Sequence, residues 1–167
     1  VNFTIRGREQ AYLKNTNLVR YNAAVAAVQS PDPATADKAL KDILALSKAN
    51  FAPAKFSEGL WRTNGVKLPK DPARGVPLIL AAAEKKFPAA IGQAGLYYYQ
   101  GRFVPEDKPR GLKMLQEAAE QGSTIAQLFL ADQEQDTDPP LSARYFRLCA
   151  AQRQPICQTG IAEYLLK

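Results

Sequence analysis

The stretch AIGQAGLYYYQGRFVPEDKPRGLKMLQEAAEQG, residues 90–122, reads as two helices joined by a long turn. After the turn, Leu112, Leu115, Ala118 and Ala119 recur at three- and four-residue spacing, which marks one face of a helix. Asp107 is placed to cap that helix, because its carboxylate accepts the unpaired N–H groups of a first turn. Gly122 suits the left-handed residue that ends it. Before the turn, Pro88 opens a helix with Ala90, Ala94 and Tyr98 on its core stripe, and Gly95 lets a neighbour approach. Gly101 ends that helix. The predicted unit is an αα-hairpin with its turn from Gly101 to Asp107.

The same unit recurs at an offset of 36 residues. Gly59-Leu60-Trp61 falls on Gly95-Leu96-Tyr97, Gly65 on Gly101, Pro69-Lys70-Asp71 on Pro105-Glu106-Asp107, and Arg74-Gly75 on Arg110-Gly111. Ala82-Ala83-Glu84 falls on Ala118-Ala119-Glu120. A fixed period of this length marks stacked supersecondary units, none of which buries its apolar face alone. One step back predicts helices over about 52–64 and 71–86, with Pro77 expected to kink the second. A fainter copy lies before it. There Leu18, Asn22, Val25 and Val28 trace one face, Ser30–Ala34 forms the turn, and Thr35 takes the capping place of Asp71. Going forward the unit contracts: its turn shortens around Asp136–Pro140, and Leu141 to Ala151 reads as the second helix.

The predicted fold is all-α, a solenoid of two-helix units forming a single domain over 1–167. Repeats are expected at about 18–53, 54–89, 90–125 and 126–155, with an N-terminal cap over 1–17 and a C-terminal capping helix over 156–167. Apolar residues at 46% and charged residues at 23% fit a folded domain. No apolar run approaches the roughly 20 residues of a membrane-spanning helix, so no transmembrane segment is expected. The chain opens at Val1 without a signal-like stretch, which reads as a processed or trimmed start.

Histidine is absent and there are two cysteines. Ser-His and Cys-His nucleophilic sites and Cys/His zinc clusters are thereby excluded, and neither cofactor nor metal is expected. No serine is followed three residues later by lysine, and no glycine-rich phosphate loop follows a strand. Carboxylate or lysine chemistry stays open. Glu117 and Glu120 share a helix, but a solvated face accounts for them without a shaped pocket. The net charge of +6 concentrates in the first half, with +4 over residues 51–87. Such a region can favour an acidic partner, a membrane surface or nucleic acid, or be a merely soluble surface. Nucleic-acid binding needs a basic stripe interleaved with exposed aromatics; the basic first half offers a partial case, an oxidised, exported protein would argue against it, and no nucleic acid is expected as partner.

Residues 90–122 resemble the Sel-1-like repeat, a relative of the tetratricopeptide repeat with a longer internal turn. Ala90, Gly95, Tyr98, Gly101, Val104-Pro105, Asp107, Ala118-Ala119 and Gly122 carry the likeness. It is good over 54–89, thinner over 126–155 and faint over 18–53. The resemblance implies a right-handed superhelix with the first helices on its concave side, acting as a partner-binding module. The spacing of Cys149 and Cys157 is similar to that at the hairpin junction of the cysteine-rich branch, which implies a disulfide and an oxidising compartment. A short turn between antiparallel helices can bring two such ends within bonding reach. Two buried, reduced thiols remain the alternative.

On the helix Pro88–Gln100, the side opposite the core stripe carries Gly92, Leu96 and Tyr99, with Gln93 and Gln100 toward its edge. The preceding unit has Phe56, Leu60, Thr63, Ser57 and Asn64 at those places, with Lys55 and Arg62 nearby. Trp61 and Tyr97 flank the band. It is either the next helix's packing surface or a groove for anchor residues from a partner. Lys55, Leu60, Trp61, Arg62, Gln93, Leu96, Tyr97, Tyr99 and Gln100 are the candidate partner contacts. The expected function is non-enzymatic: an exported, periplasmic or secreted module binding another protein on its concave face. One version is an immunity protein against a toxic type VI secretion effector such as a phospholipase. An envelope assembly or signalling scaffold, a cytosolic adaptor with free thiols, and a carboxylate enzyme of cell-wall chemistry are the alternatives.

Overall fold

A computed structural model describes residues 16–152, so the expected N-terminal cap over 1–17 (all but its last two residues), the capping helix over 156–167 and Cys157 lie outside the described residues. Among the described residues there are eight helices and no strand. They are α1 (Thr16–Ala27), α2 (Pro33–Lys48), α3 (Ala52–Asn64), α4 (Pro72–Glu84), α5 (Pro88–Gln100), α6 (Lys108–Glu120), α7 (Thr124–Gln133) and α8 (Pro139–Ala150). The fold is an α-solenoid of two-helix repeats. The chain divides into two compact units, 1–78 and 79–167, with the boundary inside α4.

Each second helix begins the same way. The carboxylates of Asp32, Asp71, Asp107 and Asp138 accept the backbone N–H of Thr35, Arg74, Arg110 and Leu141 at 2.9–3.1 Å. Each satisfies one of the donors a helix start leaves unpaired, and a proline in the first turn removes another. The first repeat therefore corrects the expectation for Thr35. Asp32 is the cap, and Thr35 is the residue whose N–H it binds. Its two hydrogen bonds with Thr35 hold the Asp32 carboxyl below the usual carboxylate range. Pro77 lies within the single helix α4 and is exposed, so water can reach the carbonyl its ring leaves unbonded.

The 36-residue period is also written in the backbone. Left-handed residues fall at Asn50, Lys86 and Gly122, at Gly65 and Gly101, and at Lys67 and Phe103. The two hairpin turns share a bond as well, from the N–H of Asp71 to the carbonyl of Arg62 at 2.7 Å and from Asp107 to Tyr98 at 2.8 Å. Lys86 holds φ 62 at a place that Gly122 fills in the next repeat. A side chain there costs roughly 1–2 kcal/mol. Lys86→Gly is expected to raise stability by about 0.5–1 kcal/mol, since its ion pair with Glu117 is exposed and worth only a few tenths. Chemical denaturation measures it, and a loss of stability would refute the strain.

In the first unit, Ala24, Val28, Ala39, Ile43, Leu46 and Ala54 form the core, with Tyr21, Phe51 and Trp61 packed against it. Tyr21 donates or accepts a bond with Ser57 at 2.8 Å, and burial raises its pKa while that bond opposes the shift. In the second unit, Ile91, Leu115, Ala118, Ala119, Ala126, Leu130, Tyr145 and Phe146 form the core. Here α5 packs against both α6 and α7. Two buried polar groups close it: Gln127 donates to the Ala119 carbonyl at 2.8 Å and Ser142 to the Ala131 carbonyl at 2.6 Å. Among the described residues, no buried side-chain nitrogen or oxygen lacks a hydrogen-bond partner.

Candidate interaction surface

The first helices carry the candidate contacts, and the structure sorts them. Because α5 meets both its own second helix and the next repeat, its buried arc is wide: Ala90, Ile91, Gly92, Ala94, Gly95 and Tyr97. Tyr97 is 3% exposed, with its ring edge-on to Phe103 at 5.2 Å. That corrects its place among the partner contacts, since a ring so enclosed serves packing. Tyr98, expected in the core, is instead half-buried beneath the Arg110 guanidinium, 3.9 Å from its ring centroid. Adjacent helical positions point about 100° apart, so the two tyrosines exchange roles. Gly92, read as facing away from the core, lies against the Ser123 hydroxyl, and Phe56 and Thr63 on α3 are buried.

Leu96 and Tyr99 are partly buried and pack against the second unit's core. Tyr99 is edge-on to Phe129 of α7 at 5.1 Å, and its hydroxyl donates to Gln133 at 3.3 Å. Gln93 is half-buried and Gln100 exposed. Leu96, Tyr99 and Phe129 form an apolar strip on the same core, and Gln93 and Gln100 stand three and four residues along α5 from Leu96, at its margin. Of the two sequence readings, packing accounts for the inner edge of the strip, and its outer edge reaches solvent.

On α3, Leu60 and Lys55 are half-buried, and Trp61 packs against the first unit's core. Arg62 donates to Glu58 at 2.7 Å, with the side chains only 19% and 13% exposed. This pair occupies the positions of Tyr98 and Ala94 one repeat on. Sequence reasoning gave Glu58 no role, although its i, i+4 spacing from Arg62 is a helical ion-pair signal.

Elsewhere in the second unit, Leu80, Ala83, Ile91, Ala94 and Met114 floor a shallow groove of about 220 Å³. Tyr98 and Arg110 line it and an adjoining cleft at Pro105–Pro109. Among the described residues, no group of three or more His, Cys, Asp or Glu side chains could hold a metal. Nor is any helix among them long and apolar enough to cross a membrane. Cys149 is fully buried on α8, and Cys157, its expected disulfide partner, lies outside the described residues.

Solved structures share this architecture. A Sel1 repeat protein from Oxalobacter formigenes is similar over 74% of this chain and 97% of its own, at 23% identity and a TM-score of 0.57. The chain has the Sel1-repeat fold. A protective antigen of uropathogenic Escherichia coli strains, displaying the SLR fold, aligns with 89% of this chain at 23% identity and a TM-score of 0.60. This chain spans 33% of that antigen's length. No protein-family model and no curated protein matches the sequence itself.

Proposed function

We propose that the chain is a non-enzymatic module that binds another protein on the outer side of its first helices α5 and α7. The observation that carries this reading is the strip formed by Leu96, Tyr99 and Phe129, with Gln93 and Gln100 at its margin. It is apolar and aromatic at its centre, anchored from behind by its own repeats, and polar at its margin, as partner-binding surfaces are built. Fixed aromatic side chains lose little freedom on contact. Asp32, whose pKa is displaced downward, is a helix cap, and that shift is opposite to what a general acid needs.

The finer form of the proposal is an exported inhibitor that blocks a toxic effector, such as a phospholipase of type VI secretion. A buried Cys149 at the end of α8 supports export only if it is bridged to Cys157. Mass measurement after alkylation, with and without reductant, tests the bridge, and two labelled thiols in unreduced native-source protein would sink it. For the interaction itself, capture from the parent cell by the wild type is compared with Tyr99→Ala and with Gln100→Arg. Both variants are expected to lose at least about tenfold in affinity for the captured protein, as anchor substitutions do. Gln100 is exposed, so its variant keeps the fold. Undiminished capture by both, or a tightly bound small molecule with no protein, would overturn the reading.

A further inference from the structure

The α3–α4 turn concentrates positive charge that the fold does not require. The bond from the Asp71 N–H to the Arg62 carbonyl closes the turn, and the stem of Lys70 lies against Gly65. Arg74 follows in the first turn of α4, its N–H held by the Asp71 carboxylate at 3.1 Å. Arg62, Lys67, Lys70 and Arg74 therefore gather on one hairpin end.

The next repeat is a control within the same chain. At the equivalent positions it has Tyr98, Phe103, Glu106 and Arg110, while the glycines and the capping aspartate are kept. Turn geometry is thus indifferent to the charges. In that repeat the Arg110 guanidinium lies over the Tyr98 ring. In the α3–α4 hairpin the same two backbone positions hold two guanidinium groups, of which Glu58 neutralises Arg62 and leaves Arg74 without a carboxylate partner among the described residues.

The local anions are already engaged. Glu58 binds Arg62, and the Asp71 carboxylate caps α4. The Lys67 ammonium donates to the Val28 carbonyl at 3.0 Å. Lys70 and Arg74 are exposed and have no carboxylate partner among the described residues.

We propose that this turn docks an acidic segment of the partner protein. The inference rests on the interaction-module reading and names the chemistry of what the module grips. Charge complementarity selects a carboxylate-rich surface, and the exposed Lys70 ammonium and Arg74 fork suit carboxylate oxygens. Lys70 and Arg74 on a compact knob, with Arg62 and Lys67 already bonded within the fold, do not form the long, aromatic-studded track that single-stranded nucleic acid uses. The turn exposes a single large apolar residue, Val66, where a membrane-surface helix presents a whole apolar stripe.

The test uses the full chain and a short labelled peptide of alternating Glu and Ser, read by fluorescence anisotropy at low and physiological salt. Binding is expected, and Lys70→Glu with Arg74→Glu should weaken it at least about tenfold. Lys113→Glu with Arg147→Glu changes net charge equally at exposed helical sites and should leave it within about twofold. Circular dichroism confirms that both double variants stay folded. No peptide binding by the wild type, or equal losses in the two double variants, would overturn the proposal. So would tighter binding of a short DNA duplex or of phosphatidylserine vesicles than of the peptide. If a protein is still captured through Tyr99 and Gln100 while the peptide fails to bind, the acidic docking point falls alone.

Discussion

Gly111→Ala is expected to destabilise the α5–α6 hairpin by about 3 kcal/mol, which urea unfolding would show as a lower midpoint. A methyl group on Gly111 would sit 2.5 Å from the Tyr99 backbone nitrogen and 2.7 Å from the Gly95 carbonyl oxygen. Both are backbone atoms of α5, so no rotamer change relieves the overlap and the helices must part. Gly75→Ala meets the same obstacle one repeat earlier, at 2.6 Å from the Gly59 carbonyl and 2.8 Å from the Thr63 nitrogen. Intrinsic propensity pulls the other way: alanine in a helix interior is favoured over glycine by about 1 kcal/mol. The sign of the measured change is therefore decisive. A neutral or stabilising Gly111→Ala would show that the two backbones are not in contact.

Those two glycines show what a sequence does and does not disclose. Their recurrence at 36 residues was visible, and so were the helices, because the chemistry of each turn repeats: glycine at the end of a first helix, aspartate at the start of a second. Recurrence alone does not say which atoms a position touches. Gly95 was read as the point of close approach, yet the tighter backbone contacts are at Gly75 and Gly111 on the facing helix. The strict period also drew the first cap to Thr35. The Asp-Pro pair at Asp32-Pro33, repeated at Asp71-Pro72 and Asp138-Pro139, was the better local signal.

The candidate surface was less legible, for a reason specific to repeats. A lone helix has one buried face, and its pattern can be read from that helix alone. A first helix in this stack is covered from two directions, so burial of Tyr97, Gly92 and Thr63 depends on residues in other helices. The same dependence hides Gln127, whose amide is buried because it reaches back to the Ala119 carbonyl. At the equivalent places one and two repeats earlier stand Ile91 and Lys55, so no periodic rule marks it as a polar core residue.

Leu115→Ala should remove about 3–4 kcal/mol, the range for a fully enclosed leucine whose surroundings collapse only partly. Leu115 is 0% exposed, and so are Ile79 and Ile43 at the same register of α4 and α2. Each is the large aliphatic group around which a second helix packs, and each contact is local to its stack. In such an architecture stability is close to a sum of repeat and nearest-neighbour terms, so damage need not spread evenly. Hydrogen exchange is then expected to show lost protection for Leu115→Ala in α5, α6 and α7. The amides of α1 and α2, whose core is Ile43, Leu46 and Val28, should keep theirs. For Ile43→Ala the pattern should invert. A uniform loss of protection in both variants would mean that the chain unfolds as one cooperative body, and that the repeats share their stability rather than each holding its own.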